Sequence, residues 1–118
     1  MKDNNAVVEK SYAFAIRVVN CHKYLCAKKH EYELSKQLLR SGTSIGANVE
    51  EAVGGFSRKD FAAKMSIAYK ESRETKFWLR LLRDTQRLTV KMSESLLADN
   101  EELLRIIGSI VKTSRENS

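Results

Sequence analysis

No proline interrupts this chain, and only five glycines punctuate its 118 residues. Those are the two residues that most often end a helix or turn a backbone, so little turn chemistry is present. Leu, Ala, Lys and Glu, all good helix formers, are plentiful. The expectation is an all-α chain of a few long helices. The length allows one modest hydrophobic core and not two, so residues 1–118 read as a single domain.

Apolar residues at helical spacing divide the chain into four amphipathic segments. The first runs from about Asn5 to Lys29 and carries two stripes: Val8, Tyr12, Ala15, Val19 and Cys26, and beside them Phe14, Val18, Cys21 and Leu25. Together they are wider than one helix–helix seam needs. The second runs from about Glu31 to Val53, with Leu34, Leu38, Ser41, Ile45, Asn48 and Ala52 on its seam, and Gly54-Gly55 ends it. Ser57 then reads as an N-cap with Asp60 in the first turn of a third helix reaching about Leu88. Its core side is Phe61, Met65, Ala68, Leu79 and Leu82, widened by Ile67, Trp78 and Leu81. Ser93 reads as the cap of a fourth helix bearing Leu96, Leu97, Leu103, Leu104, Ile107, Ile110 and Val111, with Asp99 a rival start. Short links force neighbours to run antiparallel. The predicted architecture is an antiparallel up-down-up-down four-helix bundle.

All of the net positive charge sits in one stretch. Residues 57–91 hold ten Lys/Arg against four Asp/Glu, a net of +6, and the remaining residues cancel. On a helix, Lys59, Arg73, Lys76, Arg80, Arg83 and Arg87 recur at steps of three, four and seven and fall along one side. A concentrated basic stripe is the footprint of a polyanion-binding surface, although a solvated helix face has the same composition. Tyr69 is placed at the stripe's edge and Phe77 on its far side, which gives little support to base stacking.

A second unusual block is Arg40-Ser41-Gly42-Thr43-Ser44-Ile45-Gly46-Ala47-Asn48. Two glycines inside a helix cost about 1 kcal/mol each relative to alanine, and the usual compensation is a backbone approaching through the gap. Glu71 and Glu74 project into the apolar sector of the third helix, within reach of Arg40 across the antiparallel pair. The reading is a buried polar network of Arg40, Ser44, Asn48, Glu71, Glu74 and Thr75 that fixes helix register. A catalytic or metal-binding use of the two carboxylates is the alternative.

Positive support for catalysis is missing. His22 follows Val19 and His30 follows Ala27, so neither completes the Glu-x-x-His of a bundle metal site. Cys26 and His30 form at most half of a zinc site. No phosphate loop or dinucleotide fingerprint occurs, and no cofactor, metal or catalytic residue is expected. Cys21 and Cys26 point about 140° apart around a helix and cannot pair with each other. Two unpaired thiols, a polar start at Met1 without a signal-peptide pattern, and no apolar run of about 18–20 residues predict a cytoplasmic chain without a membrane segment.

The block from Arg40 through Val49-Glu50-Glu51-Ala52 resembles the signature of the four-helix bundle, 23S rRNA intervening-sequence protein family. So does the later run Asp60-Phe61, Lys64, Ile67-Ala68, Lys70-Glu71, Glu74-Thr75, Trp78-Leu79 and Leu81-Leu82. Members are small helical bundles, some of them encoded within insertions of bacterial large-subunit ribosomal RNA genes. Their fold is similar to that of the accessory protein of diversity-generating retroelements, a basic homopentamer that works with nucleic acid. The resemblance implies a bacterial, pentameric, non-enzymatic protein that binds RNA or DNA.

Two functions follow. The first is a sequence-tolerant nucleic-acid-binding homo-oligomer that contacts phosphates through Lys59, Arg73, Lys76, Arg80, Arg83 and Arg87. The second is a protein-interaction module with an acidic or nucleic-acid-handling partner. An enzyme using Glu71 and Glu74 is the remaining alternative.

Overall fold

The computed structural model describes residues 2–117; Met1 and Ser118, the ends of the expected domain, lie outside them. The elements are α1 (Lys2–Lys29), α2 (Glu33–Val53), α3 (Arg58–Asp84) and α4 (Val90–Glu116), with no strand among the described residues. Each helix packs on its neighbours in sequence, α1 also meets α4, and the backbones of the diagonal pairs do not approach closely. This is the all-α, up-down-up-down four-helix bundle. It measures 46 × 21 × 19 Å, close to the ~40 Å that a 27-residue helix spans.

Four helix ends differ from expectation: α1 begins at Lys2, three residues before Asn5, and the other three differ through hydrogen bonds that sequence spacing does not display. Glu31 is not the first residue of α2: it precedes the N-cap position, Tyr32, and its carboxylate reaches into the first turn to accept the Leu34 N–H at 2.8 Å. α3 stops at Asp84, a turn before Leu88. Gln86 adopts a left-handed φ of 64°, its N–H bonds the Arg83 carbonyl, and the Arg87 N–H bonds the Leu82 carbonyl at 2.9 Å. That is a Schellman termination built on glutamine where glycine is usual, and it folds Leu88 back into the core. The cap of α4 is Thr89, whose hydroxyl accepts the Met92 N–H at 3.1 Å. Ser93 lies inside the first turn, buried, donating to the Thr89 carbonyl, and Asp99 lies mid-helix. The α3 start is as read, with Ser57 accepting the Asp60 N–H at 3.0 Å.

The core takes one of the two α1 stripes. Phe14, Val18, Cys21 and Leu25 are buried, joined by Val7, whereas Val8, Ala15, Val19 and Cys26 are half-buried and Tyr12 points to solvent. The reason is how closely α1 lies on α2. A Cβ placed on Gly46 would sit 3.2 Å from the Ser11 carbonyl oxygen, and one on Gly42 would sit 2.7 and 2.8 Å from the methyls of Val18. The two glycines therefore admit α1, and the apolar burial gained along that seam offsets their helix cost.

Gly42→Ala should accordingly destabilise the fold by about 1–3 kcal/mol through overpacking, despite alanine's better helix propensity. Adding Val18→Ala should return part of that loss, and denaturant titration of the single and double variants checks both.

Candidate nucleic-acid interface

The placement of α3 is decided from inside the bundle. Ser72 and Asn100 are fully buried and bond reciprocally across α3 and α4: the Ser72 hydroxyl donates to Asn100 Oδ1 at 2.7 Å, and Asn100 Nδ2 donates to the Ser72 carbonyl at 3.0 Å. On the α2 side, Thr75 donates to the Glu71 carbonyl and lies 3.0 Å from Ser41 Oγ, both hydroxyls buried. Among the described residues no buried side-chain polar atom lacks a partner.

The six residues expected to form a buried network divide into three groups. Arg40 reaches both Glu71, at 3.3 Å, and Glu74, but at the surface. The three side chains are 47%, 20% and 37% exposed, because the guanidinium lies along the outer edge of the α2–α3 seam. Thr75 is in the interior, paired with Ser41. Ser44 and Asn48 join neither group: each turns back on its own helix, Ser44 to the Arg40 carbonyl and Asn48 to the Ser44 carbonyl. Short polar side chains in helices satisfy themselves in this way. Ser41, Ser72 and Asn100 carry the buried bonding, and the α4 partner had no signal beyond one amide on an apolar stripe.

Glu74 links the surface cluster to the aromatics. The Trp78 indole N–H donates to it at 2.9 Å. That bond, with Arg40 behind it and partial burial opposing, holds the Glu74 carboxyl below the usual glutamate range. The same contacts raise Arg40 further above its ordinary value, with Glu74 as the main cause. Trp78 in turn meets the exposed ring of Phe77 edge-on, centroids 5.0 Å apart and planes at 77°.

The basic stripe is real as a face and uneven as a charge. Lys59, Arg73 and Arg80 are exposed and make no ion pair among the described residues. The other three have carboxylate partners. Lys76 lies 3.2 Å from Glu101. Arg83 pairs with Asp84 at 2.8 Å and Glu94 at 3.5 Å, and Asp84 first, then Glu94, push its pKa up. Arg87 lies beyond the end of α3, with Glu31 at 4.0 Å. Glu94 and Glu101 belong to α4, so their effect on the stripe could be read only once α4 was placed beside α3.

The aromatics also exchange roles. Tyr69 is half-buried, its ring packed where a side chain on Gly108 of α4 would stand, 3.1 Å from that position. Phe77 is not on the far side of the stripe: it follows Arg73 by four residues and precedes Arg80 by three, which puts all three on one surface.

Nothing comparable gathers around the thiols. Burial pushes the Cys21 pKa up to about 11, against a smaller opposing effect of Arg17, which leaves it protonated and unreactive. Cys26 does not pair with His30, which leaves the helix with φ 53°. It sits 3.7 Å from His22 and 3.9 Å from Ser35 instead. Among the described residues no three His, Cys, Asp or Glu converge as a metal site, and no helix is long and apolar enough to cross a membrane.

A profile described as 23S rRNA-intervening sequence protein matches residues 3–109. The chain is similar to a crystal structure of a protein of unknown function from the S23 ribosomal protein family of Bacteroides thetaiotaomicron. That likeness has 46% identity, 93% of this chain and 98% of the other covered, and a TM-score of 0.91. No functionally curated protein matches the chain.

The surface cluster has a pH signature. Glu74 titrates lower folded than unfolded, so its contribution is complete at neutral pH and is lost as pH falls through its folded pKa. Glu74→Gln should cost about 1 kcal/mol at neutral pH, the size of a half-exposed pair, and the gap from the parent should close in acid. Thermal melts of both proteins across an acid series measure it.

Proposed function

Because the chain belongs to the 23S rRNA-intervening sequence protein family, we propose that it is a non-enzymatic, sequence-tolerant nucleic-acid-binding homo-oligomer of the cytoplasm. One observation carries this reading. The chain's entire net charge lies between residues 57 and 91, and Lys59, Arg73 and Arg80 there are exposed and make no ion pair among the described residues, with Asp84 near Arg80 only at longer range. Such cations bind phosphates by releasing condensed counterions, with no demand on base sequence. Lys76, Arg83 and Arg87 form a reserve, since exposed ion pairs are worth about 0–1 kcal/mol and a polyanion can compete for them. The ligand is RNA or DNA.

Absence of catalysis is favoured by what the candidate carboxylates already do: Glu71 and Glu74 are engaged by Arg40 and Trp78. Self-association is favoured by apolar side chains left outside the core, with Tyr12 and Ile16 exposed on α1, and the family resemblance makes a pentamer the expected state. The second reading, an accessory module with an acidic or nucleic-acid-handling protein partner, is favoured by Phe56, which stands fully exposed at the α2–α3 turn beside exposed Val53.

Fluorescence anisotropy of a labelled RNA and a matched duplex DNA across a salt series tests the first reading. Three unpaired cations predict a log–log slope of about −2 to −3, steepening toward −4 to −5 if the reserve is recruited. Arg73→Glu/Arg80→Glu should abolish binding with an unchanged melt. A parent protein that binds nothing at low salt would reduce the stripe to a solvated face. Sedimentation giving a clean monomer at micromolar concentration would remove the oligomer.

A further inference from the structure

We propose that Phe77 is a stacking platform for an unpaired base, so that the basic face of α3 takes single-stranded nucleic acid in preference to duplex. This rests on the polyanion-binding reading above and narrows it to one class of ligand.

A lone exposed phenylalanine means nothing by itself. The surroundings of this one give it a use. The residue is 52% exposed, and its ring is held from one side by the edge contact with Trp78. Trp78 is fixed by its bond to Glu74, and Glu74 by Arg40. The ring therefore has little freedom to lose when a ligand settles on it, which is the condition under which binding energy is retained.

The charge around the ring is the right kind for a nucleotide. Arg73 lies one turn before Phe77 and Arg80 one turn after, both exposed and making no ion pair among the described residues, although Arg80 feels Asp84 at longer range. A base on the ring would leave its flanking phosphates within the field of both guanidinium groups. Lys70, seven residues before Phe77, adds a further exposed cation along the same row. Tyr69 is unavailable, since its ring is packed against Gly108.

Duplex nucleic acid cannot use this platform. Its bases are stacked on one another and present only edges and phosphates, whereas an unpaired strand can splay a base onto an aromatic face. Single-strand binding grooves combine these two elements, a cationic track and an aromatic surface. The arrangement also fits a base better than an acidic peptide, whose carboxylates would pair with the arginines and leave the ring idle.

The test is anisotropy of one labelled single-stranded RNA, the DNA of the same sequence, and the matched duplex, at fixed salt, with the parent, Phe77→Ala and Phe77→Tyr. Phe77→Ala should weaken both single strands roughly 5- to 150-fold, leave duplex affinity and the salt slope unchanged, and keep the parent's melt. Phe77→Tyr should bind as the parent does. Trp78, the chain's one tryptophan, should change its emission with single strands and not with duplex. Equal losses on single strand and duplex, or no loss on single strand, would overturn the platform and leave the basic face standing. A fall in subunit number on Phe77→Ala would also overturn it, by making Phe77 a contact between copies. A parent that binds neither form would overturn the reading underneath.

Discussion

The register of α3 against its two neighbours is the constraint on which the exterior of this protein depends. Ser41 and Thr75 meet on one side of α3, Ser72 and Asn100 on the other, all four out of contact with water. A buried hydroxyl or amide without a partner costs on the order of 1–3 kcal/mol. Sliding α3 by one turn would strand several at once, so only one alignment is cheap. That alignment brings Arg40 against Glu71 and Glu74, orients Trp78, and turns Arg73, Phe77 and Arg80 outward together.

The surface has two kinds of cation as a result. Lys76 and Arg83 face α4 and are answered by Glu101 and Glu94, which strengthens the α3–α4 seam at the expense of the external field. Lys59 and Arg73 are exposed and make no ion pair among the described residues, and Arg80, exposed beside Lys76 and Arg83 at the groove with α4, feels Asp84 only at longer range. One helix thus carries cations paired across a seam and cations left exposed, separated by angle around its axis.

How much of this was legible in the sequence depended on the range of the interaction. The four helices, their antiparallel order and the role of the glycines at 42 and 46 were readable because periodicity and missing side chains are local signals. The end of α3 was not: Gln86 takes a backbone conformation that glycine normally announces, and no residue type flagged it. Ser93 looked like a cap because serine often is one, but Thr89 lies at the turn. In the polar cluster, Arg40 with Glu71 and Glu74 could be inferred from facing positions. The retreat of Ser44 and Asn48 onto their own helix could not, since the same side chains can bond either way. Phe77 shares the face of Arg73, because a step of four residues returns to nearly the same angle around the helix.

The four seams of the bundle are not alike. α1 meets α4 least closely of all neighbouring pairs, and polar bridges line that edge: Lys10 to Glu102 at 3.3 Å, Arg17 to Asp99 at 2.6 Å, and Arg17 to Ser95 at 2.9 Å. These are partly exposed contacts, weakened by ionic strength, whereas the α1–α2 seam is glycine-tight and the α3–α4 seam is bonded through its core. The first and last helices are therefore joined by the fastening that is easiest to undo. Breathing motions of this molecule should begin there, as a hinge-like parting of the α1–α2 hairpin from α4, with the α3 face the last to be disturbed.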